Sequence, residues 1–154
     1  MKKITSVLNK AIGSFLLLMV VTPAQAQDIT VTNGFIRESI PGTTISSAYM
    51  TITNTSDKSL TLVGSSSKVS ARIEIHEHSM SKGMMSMRQL ASIVIDSKDT
   101  VILQPSGVHL MIFDIKEPLK HGDVQTLTLH FSSHPDVEVH IPVQGIKRKQ
   151  HHHH

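Results

Sequence analysis

The sequence predicts an all-β domain, a sandwich or barrel of roughly eight or nine short strands with Greek-key connections. Three observations predict it. Beyond Gln27 the chain is a succession of short alternating segments rich in Val, Ile and Thr, the period-two pattern of half-buried strands. Turn residues divide these segments at Asn33-Gly34, Pro41-Gly42, Asn54 to Asp57, Pro105 to Gly107, Pro118 to Asp123 and Ser132 to Asp136, where Gly, Pro, Asn, Asp and Ser supply the required backbone conformations. No segment sustains a helical period.

Taken in order, strands are expected near Ile29 to Arg37, Ser47 to Asn54 and Ser59 to Ser65, each closed by a turn or a polar cluster. Two further segments, Ala71 to His78 and Met84 to Ala91, enclose Gly83. Thr100 to Leu103 and Val108 to Ile115 flank Pro105-Ser106-Gly107, and Gln125 to Phe131 and Val137 to Pro142 flank the Ser132 to Asp136 turn. The domain is expected over residues 27–146.

Residues 1–26 read as a signal peptide. Lys2, Lys3 and Lys10 give a positive start, Gly13 to Val21 a short apolar core, and Pro23 precedes an Ala24-Gln25-Ala26 cleavage signal. The apolar run is well short of the ~20 residues of a spanning helix. Export to the periplasm, without membrane insertion of the mature chain, is the expectation. Residues 147–154 are expected to be a basic tail, Lys147-Arg148-Lys149, followed by a terminal His run read as an expression tag.

Composition narrows the function. Setting aside the three leader lysines leaves 12 of the 15 Lys and Arg against 12 Asp and Glu, so the expected mature domain is neutral. With one Tyr, four Phe and no Trp, it has neither the charge nor the stacking groups that nucleic-acid binding needs. The absence of Cys excludes disulfides, a lipid-modified N-terminal cysteine, and the thiolate ligand of blue-copper electron transfer.

His and Met, by contrast, are concentrated. His76, His78, Met80, Met84, Met85 and Met87 fall within twelve residues, and His109 and Met111 follow on a later strand. In Ala71 to His78 the alternation puts Ala71, Ile73 and Ile75 on one face and Arg72, Glu74, His76 and His78 on the other. In the later strand Val108, Leu110 and Ile112 oppose His109, Met111 and Phe113. If the two strands are neighbours, imidazoles and thioethers can converge. Soft, neutral thioether sulfur favours Cu(I) over Zn(II) or Mg(II), and it survives an oxidising compartment without forming disulfides. Met50, Met84 and Met85 read instead as packing or adaptable-surface residues.

The spacing His76, ten residues, Met87, twenty-one residues, His109-Leu110-Met111 resembles the signature of the periplasmic PCu(A)C copper chaperones. Given any His, such offsets arise by chance about once in a thousand sequences of this kind. The resemblance extends through Ser47 to Ile52, Met85 to Arg88, Gly107 to Met111 and Pro118 to Asp123. It implies a cupredoxin-like Greek-key β-barrel that binds Cu(I) through His76, Met87, His109 and Met111. It further implies delivery of the ion to a copper-accepting protein, such as the CuA subunit of cytochrome c oxidase or its assembly factor.

Two departures stand out. His78 occupies a position where Met or a small polar residue is expected, which adds a candidate ligand, including for Cu(II), and Ser106 replaces one of two paired glycines. An enzyme is not expected, because no nucleophile motif, His-Glu-x-x-His or phosphate loop is present. The alternative function is a periplasmic copper buffer or resistance protein that sequesters the ion, and a metal-free structural β-sandwich is the third reading.

Overall fold

The computed structural model describes residues 28–81 and 83–145, so the expected leader and the basic tail with its His run lie outside the described residues. Ten strands form: β1 (Ile29–Arg37), β2 (Ser46–Asn54), β3 (Leu60–Ser66), β4 (Arg72–Ser81), β5 (Met84–Leu90), β6 (Ile93–Ile95), β7 (Thr100–Leu103), β8 (Val108–Phe113), β9 (Val124–Phe131) and β10 (Val137–Gln144). Nine occupy the predicted segments. The tenth, β6, spans three residues, too few for a period to show, and it forms by pairing Ile93 and Ile95 with Leu62 and Leu60 of β3.

The strands follow one path, β5-β4-β8-β2-β1-β10-β9-β3-β6, with β7 also on β2. Neighbours far apart in sequence, such as β4 with β8 and β8 with β2, are the long returns of a Greek key. Among the described residues only β1 and β10 pair in parallel. The path ends at β5 and β6 instead of closing on itself, which decides between sandwich and closed barrel in favour of an open, folded-over sheet.

β2 organises the half that carries the His and Met residues. It pairs β1 along one edge, and on the other edge its Ser46–Ala48 portion pairs β8 while Met50–Thr53 pairs β7. Ala48, Met50 and Ile52 point into the core with Leu110 and Ile112 of β8 and Ile75 of β4. Met50 therefore packs, as its alternation predicts.

β1 is bent by a bulge between Thr32 and Phe35, where Asn33 takes a left-handed conformation (φ 53°). A Cβ on Gly34 would collide with Ile141 Cγ2, so the close approach of β10 demands glycine here. Beyond the bulge Phe35 is opposite Tyr49, and their rings lie 5.0 Å apart.

At the far end of β2, Asn54 is fully buried. Its amide nitrogen donates to the carbonyls of Lys58 (2.7 Å), Ile95 (3.0 Å) and Asp96 (3.0 Å), and its Oδ1 accepts from Ser56 N–H at 3.0 Å. One side chain thus joins β2, the turn before β3, and β6. Asn54→Ala strips buried carbonyls of their donor, at a cost on the order of 3 kcal/mol. Urea unfolding should show that loss as a lower midpoint with an unchanged slope; a midpoint within error of the parent would refute the clip.

Candidate metal centre

Register assembles the His and Met side chains. In the β4–β8 ladder His76 is opposite His109 and Glu74 opposite Met111. In the β4–β5 ladder His78 is opposite Met87 and Met80 opposite Met85. Directly opposed residues share a face, as do residues two apart on one strand. His76, Met87, His109 and Met111 consequently lie on one face, together with Glu74, His78, Met80 and Met85. The reverse face of β4 and β8 gives Ile75, Leu110 and Ile112 to the core.

The face is not uniformly wet. His109 is only 2% exposed, because rings surround it: Tyr49 at 6.2 Å, His76 at 6.2 Å and His78 at 5.1 Å between centroids. Phe35 supports Tyr49 from β1, and Phe113 lies 5.7 Å from His76. Alternation alone would have left His109 on the solvent side of its strand.

Hydrogen bonds then fix which nitrogen atoms are free. The Gly107 carbonyl can only accept, so His109 Nδ1, at 3.0 Å, carries the proton and donates. The lone pair of neutral His109 is left on Nε2. His76 Nε2 lies 2.8 Å from Glu74 Oε2, and donation to that carboxylate leaves the lone pair on Nδ1. His76 Nδ1 and His78 Nδ1 are both buried without a hydrogen-bond partner. An unpaired buried polar atom costs roughly 1–3 kcal/mol, so two of them beside a third imidazole mark a place built to accept something.

Electrostatics agree. The hydrogen bond from His76, aided by the Arg72 guanidinium 3.2 Å away, holds the Glu74 carboxyl below the usual carboxylate range. Glu74 is therefore an anion that orients His76, the carboxylate–histidine arrangement found behind many metal ligands. Burial pushes the His109 pKa below that of a free imidazole, the Gly107 hydrogen bond opposes this, and His78 and His76 add a smaller downward push. The result favours neutral, electron-donating His109.

The thioethers are placed differently. Met87 is 44% exposed at the rim beside His78, while Met84 and Met85 are exposed on the hairpin, adaptable surface and not core. Met111 is half-buried one step along β8 from His109 and lines a shallow depression with Arg37, Ile45 and Ser47. Among the described residues no three His, Asp or Glu side chains are grouped as a ready metal site, and the thioethers are the further soft donors on this face. Sequence reasoning missed three contributors: Glu74, the Gly107 carbonyl and the Tyr49 wall. Glu74 was detectable as the residue two before His76 on the same strand face.

The turn leading into β8 also bears on the site. Ser106 takes φ 62°, the conformation glycine adopts most readily, which accounts for glycine being usual there. The same turn offers the Gly107 carbonyl to the His78 amide at 3.1 Å as well as to the His109 ring. Elsewhere, His130 links Ser66 Oγ (2.8 Å) and Asp136 Oδ2 (2.9 Å). Ser66 belongs to the β3–β9 ladder and not to a turn that presents paired N–H donors, so this trio is a cross-strand clasp.

The His109 environment predicts a pH dependence. A folded-state pKa below the unfolded value of about 6.5 means the unfolded chain takes up the proton more readily. Its contribution to stability is therefore complete above pH ~6.5 and lost as pH falls through the lower, folded value. In an NMR titration of the metal-free protein the His109 ring should show a midpoint below 6.5, with stability declining over the same range. A midpoint at or above 6.5 would contradict the buried, neutral ring.

Comparison with known proteins supplies the kinship. Residues 29–143 match the model of the LpqE-like family, described as lipoproteins. The Lxx21020 protein of Leifsonia xyli subsp. xyli, also named for a lipoprotein, is 27% identical over 121 residues, covering 78% of this chain and 72% of its own. Among solved structures, the copper-bound PCuAC domain from PmoF2 aligns with a TM-score of 0.67 at 21% identity, over 78% of this chain and 95% of that one. The solution structure of Cu(I)-DR1885 from Deinococcus radiodurans aligns with a TM-score of 0.61 at 30% identity, over 79% and 83%. The fold is the cupredoxin-like fold of PCuAC domains, and the chain belongs to the LpqE-like, PCuAC-type family.

Proposed function

We propose that this protein is an exported copper chaperone that holds Cu(I) between His76, Met87, His109 and Met111 and hands it to an acceptor such as the CuA centre of cytochrome c oxidase. One observation carries the reading: the buried, unpartnered Nδ1 atoms of His76 and His78 beside the free Nε2 of His109, on the face that also bears Met87 and Met111. Neutral imidazole and neutral thioether together form a soft donor set that suits Cu(I). The DR1885 relative is described in its Cu(I) form, which supports the same ion here.

Each residue has a separate task in this reading. Glu74 fixes His76 with Nδ1 toward the ion, and Gly107 fixes His109 with Nε2 toward it. Tyr49 keeps water from one side of His109, and His78 stands close enough to join the shell, including for Cu(II). Met87 is the exposed thioether through which an incoming ligand can displace the protein's own. That accessibility favours a carrier over the alternative, a buffer or resistance protein that sequesters copper, since storage is better served by an enclosed ion.

Export to the periplasm accords with relatives named as lipoproteins. Lipid attachment of the usual kind needs a cysteine, however, and this sequence contains none. A soluble periplasmic carrier freed from a cleaved leader is therefore the proposed form.

Replacing both thioethers, Met87→Leu with Met111→Leu, should abolish tight Cu(I) binding in a competition titration against a Cu(I) chelator, on protein without the terminal His run. The fold should survive, because neither residue belongs to the buried core. Unchanged affinity in the double variant would remove these two residues from the site. Glu74→Gln keeps the shape but loses the anion behind His76, and should weaken Cu(I) about 10- to 100-fold. Mixing the Cu(I)-loaded protein with an oxidase CuA domain separates the two functions: movement of the metal supports delivery, and retention supports sequestration.

A further inference from the structure

The hairpin of β4 and β5 runs past the end of β8. β8 pairs β4 only as far as Glu77, and the Gly107 carbonyl extends the contact to the His78 amide. Beyond that point β5 is, among the described residues, the only ladder partner of β4, as far as the Ser81–Met84 pair. Sheet edges are usually guarded by charged side chains, yet Met80 is 73%, Met84 71% and Met85 70% exposed. Packing does not account for three solvent-exposed thioethers at one tip.

Their distribution over the two faces is informative. Met80 and Met85 are direct cross-strand partners, two rungs outward from His78 and Met87 and past the Ser79–Ser86 pair, so alternation places both pairs on the face of His76 and His109. The reverse face of the hairpin carries Ser79 Oγ and Ser86 Oγ 2.9 Å apart and Glu77 bound to Arg88 at 2.7 Å, with Met84 at its outer end. Soft donors thus run along one face from the tip to the buried imidazoles: Met80 with Met85, then His78 with Met87, then His76 with His109. Directly opposed residues have Cβ atoms about 4.5–5.5 Å apart, and methionine's flexible stem lets two sulfur atoms meet one ion.

We propose that Met80 and Met85 form a second, outer binding site for a soft monovalent cation, through which Cu(I) enters and leaves the inner His and Met set. The inference rests on the proposed inner Cu(I) site but names residues outside it. Passage inward is ligand exchange: Cu(I)–sulfur bonds to Met80 and Met85 break as bonds to His78 nitrogen and Met87 sulfur form. All four ligands are neutral, the ion stays Cu(I), and no electron or proton moves. The outer pair offers two donors and full access to solvent, so it binds weakly and exchanges fast.

Met84 provides an internal control. It is as exposed as its neighbours, but it lies one rung beyond the Met80–Met85 pair, so alternation puts it on the other face. With methyl-13C-methionine in tag-free protein and Ag(I) as a redox-inert soft probe, the first equivalent should shift the Met87 and Met111 methyls. The second should shift Met80 and Met85 and leave Met84 in place. In the Met80→Leu, Met85→Leu variant, which keeps the apolar bulk, the first-equivalent shifts should persist. Loss of Cu(I) from that variant to a chelator should slow at least several-fold. Immobile Met80 and Met85 methyls, a Met84 shift of equal size, or an unchanged release rate each overturns the outer site. Failure of the inner site is read separately in the same spectra, as immobile Met87 and Met111 methyls in the first equivalent.

Discussion

The candidate centre depends on one constraint, the register that sets His76 of β4 opposite His109 of β8. Side chains alternate with a period of two, so a slip of one residue would send His76 and His78 to the core face and bring Ile75 out. Ile75, Leu110 and Ile112 resist that slip because all three are buried in the same core. The apolar faces of these two strands therefore hold the polar faces in place. The placement of the His and Met side chains on one side of the sheet is specified by hydrophobic burial on the other.

A second layer of control lies in the turn before β8. The Gly107 carbonyl accepts from the His109 ring and from the His78 backbone, so a single oxygen sets the tautomer of one imidazole and the strand position of another. Glu74 does the corresponding work for His76. Burial, with a smaller push from the two neighbouring imidazoles, favours the neutral His109 ring against the Gly107 hydrogen bond, which favours the charged one. The left-handed backbone at Ser106 is a local strain of the kind that persists where a turn must present a group accurately.

Much of this was legible in the sequence, for identifiable reasons. Alternation in Ala71 to His78 and Val108 to Phe113 put the His and Met residues on one face, because Ile73, Ile75, Leu110 and Ile112 occupy the other. Pairing was not legible: nothing in the spacing says that β8, thirty residues on, inserts between β4 and β2. The burial of His109 was hidden for the same reason, since Tyr49 reaches it from β2 and His78 from β4. The Met111 environment, a half-buried position beside Ser47, likewise depends on the β2–β8 ladder. Glu74 was visible as a face-mate of His76, but its role needed the 2.8 Å contact to become apparent.

The donors also divide by exposure, and the fold explains the division. Imidazoles occupy β4 and β8 in the interior of the sheet path, where ladders on both sides and surrounding rings restrict them. Thioethers concentrate on β5, which pairs β4 alone at the edge and is exposed along nearly its whole length. An enclosed half can be preorganised for the ion, and an exposed half is open to an incoming ligand. A carrier needs both properties, because affinity without an exit traps its cargo and an exit without affinity loses it. Placing the histidines on β4 and β8 inside the sheet and Met87 on β5 at its open edge meets both requirements, while Met111 stays with His109 on β8.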